Sequence, residues 1–156
     1  MTFDDVAAEA GVSRSLVHAY LGDRRGLIDA VQVRIVARMD TWVGHGLARS
    51  ETRRQRLRAI TGGLFAYVEA ESEPWSVLVA SGGLDHPALH GVRARWCHAL
   101  AGNGPHGESD PGTRRSDDDL TAQVAVAALV LGVGAWVARG IDPARVLGAL
   151  EAAVET

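Results

Sequence analysis

The sequence feature that most limits the fold is a run of nineteen residues without a charge, from Leu120 to Ala138. A run of this length is either a transmembrane helix of nearly minimal length or a helix that is apolar on all sides and therefore buried in a protein core. Ten of the nineteen residues are Ala, Gly, Thr or Gln, which gain little from contact with lipid. We therefore expect a buried core helix and no membrane span.

Apolar residues elsewhere in the chain recur at spacings of three and four, which is the period of an α-helix. Aromatic residues make up only 5% of the chain, and no segment keeps the alternation that is typical of a strand. The sequence predicts an all-α protein in which Gly44 and Gly46 end the third helix. The predicted helices cover 3–10, 14–20, 24–43, 52–71, 74–82, 86–101, 120–138 and the residues after 143, and a glycine- and proline-rich loop covers 102–118.

The N-terminal end of the chain contains the signals for two short helices joined by a tight turn. Thr2 is a good N-cap for the first helix, and Ser13 is one for the second. Gly11 stands where the first helix must stop, since glycine adopts a left-handed backbone without steric cost. Leu16 and Val17 are expected to face the first helix. Helix, glycine turn and helix at this spacing is the helix-turn-helix arrangement, whose second helix lies in a DNA major groove.

The segment contains the run DDVAAEAGVS (residues 4–13), followed by Tyr20, Leu21, Arg24 and Leu27. With these residues it resembles the DNA-binding motif of the TetR (tetracycline-repressor) family of bacterial transcription regulators. The family usually has a tyrosine at the position of His18, a phenylalanine at Leu21 and a lysine at Arg24, so the chain departs from the pattern there. Arginine in place of lysine keeps a phosphate contact possible.

The resemblance implies that the second helix contacts double-stranded DNA. Arg14, Ser15, His18 and Ala19 would face the groove. Ser13, Tyr20 and Arg24 are placed for phosphates, which fix the register without carrying sequence information. The alternative is that the two arginines are ordinary solvated charges and Tyr20 is a packing residue. The predicted DNA-binding residues are Ser13, Arg14, Ser15, Leu16, His18, Ala19, Tyr20 and Arg24.

The resemblance also implies a division into two parts. Residues 1–45 would form the DNA-binding domain with its connecting helix, and residues 46–156 a ligand-binding and dimerisation domain. Members of the family usually carry another helix before the motif, which is missing from this sequence. The connecting helix is the element whose movement reports the ligand in the family.

Two further groups of residues follow from the resemblance and from the helical pattern. The family's middle helices surround a ligand, which predicts a pocket for a small apolar effector. Its last two helices form a homodimer, and the apolar surface of the last two helices here exceeds what a monomer needs. The predicted pocket residues are Leu64, Phe65, Val68, Trp75, Leu78, Val79, Trp96 and Leu100. The predicted dimer interface consists of Ala125, Ala128, Gly132, Ala135, Val146, Leu147, Leu150 and Val154.

These observations predict a ligand-responsive transcription regulator, most simply a repressor that a small molecule releases from its operator. A net charge of −3 argues against a protein that coats nucleic acid, and a single cysteine suits the cytoplasm. No cofactor, catalytic motif or metal site is predicted, and we expect no enzyme activity. Two alternatives remain: a dimeric sensor that does not bind DNA, and a metal-binding protein or enzyme that uses His86 and His90, four residues apart on a predicted helix.

Overall fold

The computed structural model of the chain describes residues 2–102 and 113–154, with side chains from 117 to 153 in the second range. Within these ranges the protein is all-α, as predicted, with eight α-helices, one 3-10 turn at Gly83–Asp85 and no strand. The helices are α1 (Phe3–Ala10), α2 (Arg14–Leu21), α3 (Arg24–Leu47), α4 (Arg53–Ala70), α5 (Ser72–Ala80), α6 (Pro87–Ala101), α7 (Thr113–Ala138) and α8 (Pro143–Val154).

The third helix does not end at its glycines. It continues through Gly44 and Gly46 to Leu47, so the predicted stop is wrong. The reason is close packing between α3 and α4: a Cβ added to Gly46 would lie 2.9 Å from the Cβ of Ala59, and one added to Gly63 would lie 2.9 Å from the Cα of Val43. These glycines let the two helix backbones approach each other.

The seventh helix begins earlier than predicted. It starts at Thr113, so residues 113–118 are helical although we expected them in a loop; the residues of that loop from 103 to 112 lie outside the described part of the chain. The residues after Thr113 are hydrophilic and allow a helix as readily as a loop, and within this segment Asp118 pairs with Arg53 of α4 at 2.9 Å.

The core is built around α4, which packs against α3, α6, α7 and α8. Its buried side chains include Ile60, Leu64 and Phe65, none more than 2% exposed. Asp40 on α3 joins this core to α6, because one carboxylate oxygen accepts a hydrogen bond from the Trp96 indole N–H at 2.9 Å and the other pairs with Arg95 at 2.6 Å. Body helices α3 to α8 therefore share one interior.

Arginines at the start of α4 fasten it to the C-terminal helices. Arg53 pairs with Asp118 of α7 at 2.9 Å, and Arg54 makes two hydrogen bonds of 2.8 Å with Glu151 of α8. Bidentate pairs of this kind fix orientation as well as distance.

One side of α7 is exposed, although we expected this helix to be buried on all sides. Residues Asp117–Ala138 are long and apolar enough to cross a membrane by length and composition, with mean hydropathy 2.0, but only 33% of the most apolar window is buried. Leu120, Val124 and Leu131 on the outer side are 60%, 61% and 65% exposed. The single chain thus leaves an apolar stripe uncovered.

Candidate functional site

The first two helices have the end geometry that the sequence predicted. The Asp5 carboxylate accepts a hydrogen bond from the Thr2 N–H at 2.7 Å, and the Thr2 hydroxyl accepts one from the Asp5 N–H at 3.2 Å, which completes a capping box. Gly11 has a left-handed φ of 64°. The Ser13 hydroxyl accepts from the Leu16 N–H at 3.2 Å and caps α2. We call α1 and α2, with the turn between them, the head.

The interior of the head is small. Ala7, Val17 and Leu27 are the buried apolar residues at the junction of α1, α2 and the start of α3. Val17 lies inside, as expected, but Leu16 is 44% exposed, so the expectation that Leu16 packs inward is wrong. Two eight-residue helices offer too little apolar surface to enclose both side chains.

The predicted DNA-binding residues lie on the exposed surface of the head. Arg14 forms an exposed ion pair with Asp4 at 3.2 Å. Tyr20 is 82% exposed, which excludes the alternative that it is a packing residue within this chain. The other exposed members of the predicted set are Ser13, Ser15, Leu16, His18, Ala19 and Arg24.

His18 has a structural contact as well as an exposed edge. Its ring stacks on Phe3 with a centroid separation of 4.0 Å. Its Nδ1 lies 2.9 Å from the Gly22 carbonyl oxygen. Because a carbonyl only accepts, Nδ1 carries the hydrogen, which leaves Nε2 of the neutral ring as an acceptor. His18 therefore helps to join the two ends of the head.

The head connects to the body through α3, and two polar contacts hold α3 against the α5–α6 region. The buried Gln32 amide donates to the Ser81 carbonyl at 3.0 Å and to the Ser81 hydroxyl at 2.8 Å. His86 Nδ1 accepts from the Ala88 N–H at 3.1 Å, so Nε2 carries the hydrogen of the neutral ring and donates to Asp29 at 2.8 Å. These contacts fix the half of α3 that carries the head.

The contacts of His86 also bear on the metal-binding alternative. Both of its ring nitrogens are engaged, so it has no free lone pair to share with His90. Among the described residues, no three His, Cys, Asp or Glu side chains are grouped as metal ligands. Burial raises the pKa of the Cys97 thiol near His90, so that the thiolate is disfavoured.

Most of the predicted pocket residues are packed in the core. Leu64, Phe65, Val68, Trp75, Leu78, Trp96 and Leu100 are all buried, whereas Val79 is exposed. Leu100 also borders a cleft of about 260 Å³ between α4, α6, α7 and α8. The sequence pattern identified the apolar positions of the body helices. It could not separate core residues from pocket residues, because both recur with the helical period.

A larger cleft lies where α3, α4 and α5 meet, with a volume of about 530 Å³. We call it the Tyr67 cleft. The sequence analysis missed it, although one signal was available: Tyr67 is one of only two tyrosines and stands in the apolar stripe of α4. The cleft is lined by Val31, Arg34, Ile35, Arg38, Tyr67, Glu71, Glu73, Pro74 and Val77.

The predicted dimer residues divide between the core and the surface. Ala125, Val146 and Leu147 are buried within the chain, and Ala128, Ala135 and Leu150 are at least partly exposed. The space beside Gly132 is filled by the Trp136 ring of the same helix, with ring atoms 2.5 Å from where a Cβ would stand. The side chain of Val154 lies outside the described residues.

Comparison of the chain with protein-family models found no matching family. Comparison with curated protein sequences found no significant match.

Proposed function

We propose that the protein is a DNA-binding transcription regulator that acts as a homodimer and responds to a small molecule. The observation that carries the proposal is the exposed face of α2, which presents charged, polar and aromatic side chains from a helix capped at its start and joined to α1 by a left-handed glycine turn. A helix with such an outer face and a short preceding helix suits insertion into a major groove.

The chemistry of this face fits contacts to DNA. Arg14 and Arg24 bring positive charge, and the exposed Tyr20 hydroxyl is a donor for a phosphate oxygen. The free Nε2 of neutral His18 is an acceptor, which matches the exocyclic amino groups of adenine or cytosine in the major groove. In this neutral form the same nitrogen could not read guanine, which presents only acceptors in the major groove.

The apolar stripe on α7 is the surface proposed for the homodimer. Leu120, Val124 and Leu131 lie within one narrow arc of the helix, because their spacings of four and seven residues return to nearly the same direction. Ala135 extends the stripe toward the end of the helix. A two-fold dimer would present two heads, whose recognition helices must lie about 34 Å apart to enter successive major grooves.

The proposed response to a small molecule is a shift between two conformations. A ligand that lowers DNA affinity 100-fold must bind the released state 100-fold more tightly than the DNA-bound state, which is a difference of about 2.7 kcal/mol. We propose that the protein acts in the cytoplasm as a repressor.

DNA binding by the purified chain tests the proposal. Fluorescence anisotropy with a duplex from upstream of its gene and with a random duplex, each at two salt concentrations, separates specific from non-specific binding. Replacing Arg14 and Tyr20 together by alanine should weaken binding about 10-fold or more and flatten the salt dependence. The matched control is Arg49→Ala, which removes an exposed arginine of the body and should change neither quantity.

A second candidate is a sensor that does not bind DNA, which is favoured by the small interior of the head, with Ala7, Val17 and Leu27 as its buried apolar residues. No difference between the two duplexes, together with equal behaviour of the double variant and the Arg49→Ala control, would reject the regulator and support this sensor.

A further inference from the structure

The hydroxyl group of Tyr67 is buried without a hydrogen-bond partner among the described residues. The side chain is fully buried, and its ring meets Trp42 edge to face with a centroid separation of 6.1 Å. An unpaired buried hydroxyl typically costs about 1–3 kcal/mol, so such groups are uncommon unless something else binds them. Tyr67 is also one of the residues that line the Tyr67 cleft, and its covered hydroxyl can be reached from the cleft once neighbouring side chains move.

The volume and walls of the cleft suit a small organic molecule. About 530 Å³ falls within the range of small-molecule sites. Val31, Ile35, Pro74 and Val77 supply apolar surface from α3 and α5. A few polar groups within apolar walls is the composition that fixes a ligand's orientation.

The charges around the cleft balance. Arg34 and Arg38 are matched by Glu71 and Glu73, and Arg38 is hydrogen-bonded to Glu71. Burial, and then the negative charge of Glu71, raise the pKa of the Tyr67 hydroxyl, while Arg38 opposes the shift. Tyr67 is therefore protonated at neutral pH and can donate a hydrogen bond.

We infer that the Tyr67 cleft binds an uncharged, largely apolar molecule whose carbonyl oxygen accepts a hydrogen bond from the Tyr67 hydroxyl. The Arg38–Glu71 pair lies close to this hydroxyl, and its side chains must move aside as the carbonyl enters. A neutral ligand can leave Arg38 and Glu71 paired with each other as they move, whereas a charged ligand would have to separate them to find a counter-ion. The identification of this ligand as the effector rests on the proposed function. Its binding to the Tyr67 cleft does not depend on that proposal.

Binding of the fluorescent naphthyl ketone prodan tests the inference directly. Prodan is neutral and apolar, and its emission shifts to longer wavelength when its carbonyl accepts a hydrogen bond. Tyr67→Phe removes only the hydroxyl, so the variant should bind about 5- to 10-fold more weakly and lose the shift. The matched control is Thr61→Val on the same helix, because Thr61 also has a buried hydroxyl without a partner but does not line the cleft. That control should bind as wild type does.

Filling the cleft gives an independent test. Val77→Trp places a large side chain in the cleft and should weaken prodan binding at least 10-fold. Val79→Trp makes the same change two residues away at an exposed position outside the lining of the cleft, and should leave binding unchanged. Equal binding by wild type, Tyr67→Phe and Val77→Trp would overturn the inference, as would no saturable binding to wild type.

The two proposals fail in different ways. Prodan binding that depends on Tyr67, in a protein that shows no preference for any duplex, supports the cleft and rejects the regulator. Specific DNA binding without saturable prodan binding supports the regulator and rejects the cleft as a site for neutral ketones.

Discussion

Substitution by alanine should stabilise the protein at one of two adjacent glycines of α4 and not at the other. An added Cβ at Gly62 would meet no atom within 4 Å. At Gly63 it would lie 2.9 Å from the Cα of Val43 and 3.2 Å from its backbone nitrogen. Because the nearest atom at Gly63 is the Cα of Val43 in the α3 backbone, turning a side chain cannot relieve the contact, and the two helices must separate.

The magnitudes follow from two terms. Alanine is about 1 kcal/mol more favourable than glycine inside a helix, and this gain is common to both positions. Overpacking a well-packed core costs about 1–3 kcal/mol, and this loss falls on Gly63 alone. We expect Gly62→Ala to stabilise the protein by roughly 1 kcal/mol and Gly63→Ala to be neutral or to destabilise it by up to about 2 kcal/mol.

Urea unfolding followed by far-ultraviolet circular dichroism measures both values. All samples need one protein concentration, since dimerisation would make stability depend on it. A shift in midpoint at constant slope reports a change in stability alone. If Gly63→Ala stabilises the protein as much as Gly62→Ala does, then α3 and α4 are not in backbone contact, and the explanation for the continuous α3 helix is refuted.

Substitutions at three other positions test further contacts. Asp40→Ala leaves the buried Trp96 N–H without an acceptor and should cost about 2–3 kcal/mol in urea unfolding, while Asp40→Asn keeps an acceptor and should cost less than about 1 kcal/mol. Leu131→Glu should convert the proposed dimer to a monomer in sedimentation, and an unchanged dimer would show that the interface lies elsewhere. The hydrogen bonds with Thr2 lower the pKa of Asp5 in the folded protein. The stability that the Asp5 carboxylate contributes is therefore present above its ordinary pKa of about 4 and is lost as the pH falls through the lowered pKa. Wild type and Asp5→Ala should differ in stability at pH 7 and become equally stable at low pH, as measured by circular dichroism.

The helices could be predicted because periodicity and end signals are local. Thr2, Gly11 and Ser13 each act within a turn of their own position, and the observed caps match the prediction. The end of α3 could not be predicted because Gly46 lies inside the helix, where it packs closely against Ala59 of α4. A glycine that ends a helix cannot be distinguished in the sequence from a glycine that allows a neighbouring helix to pack closely.

The sites were harder to predict for a similar reason. The family resemblance places Trp75 and Trp96 in a ligand pocket, yet both are buried in the core. The Tyr67 cleft arises between three helices, and its unpaired hydroxyl is visible only when the surroundings of that one atom are known. The outward-facing residues of α2 were expected from the family resemblance, and the helical pattern placed Val17 correctly but Leu16 wrongly.

Helix α3 links the two proposed sites and sets the distance over which one would affect the other. Its 24 residues span about 36 Å, with the head at one end and the Gly46 contact with α4 near the other. Ile35 in the cleft wall lies about 16 Å from Gly46 along the helix, and Arg24 about 33 Å. If α3 turns about the Gly46 contact, a 1 Å displacement at the cleft becomes about 2 Å at the head, and about twice that between two heads.

Such a turn must break the bonds that hold the moving half of α3. The Gln32 amide would leave Ser81, and Asp29 would leave His86. The Gln32 bonds are the costlier loss, because this amide is buried and would be left unpaired, at about 1–3 kcal/mol. This is of the same order as the 2.7 kcal/mol that a 100-fold change in DNA affinity requires. We therefore expect the Gln32 contact to favour the conformation described here. If both proposals hold, a ligand in the cleft would change DNA affinity only by as much as it favours a conformation without that contact.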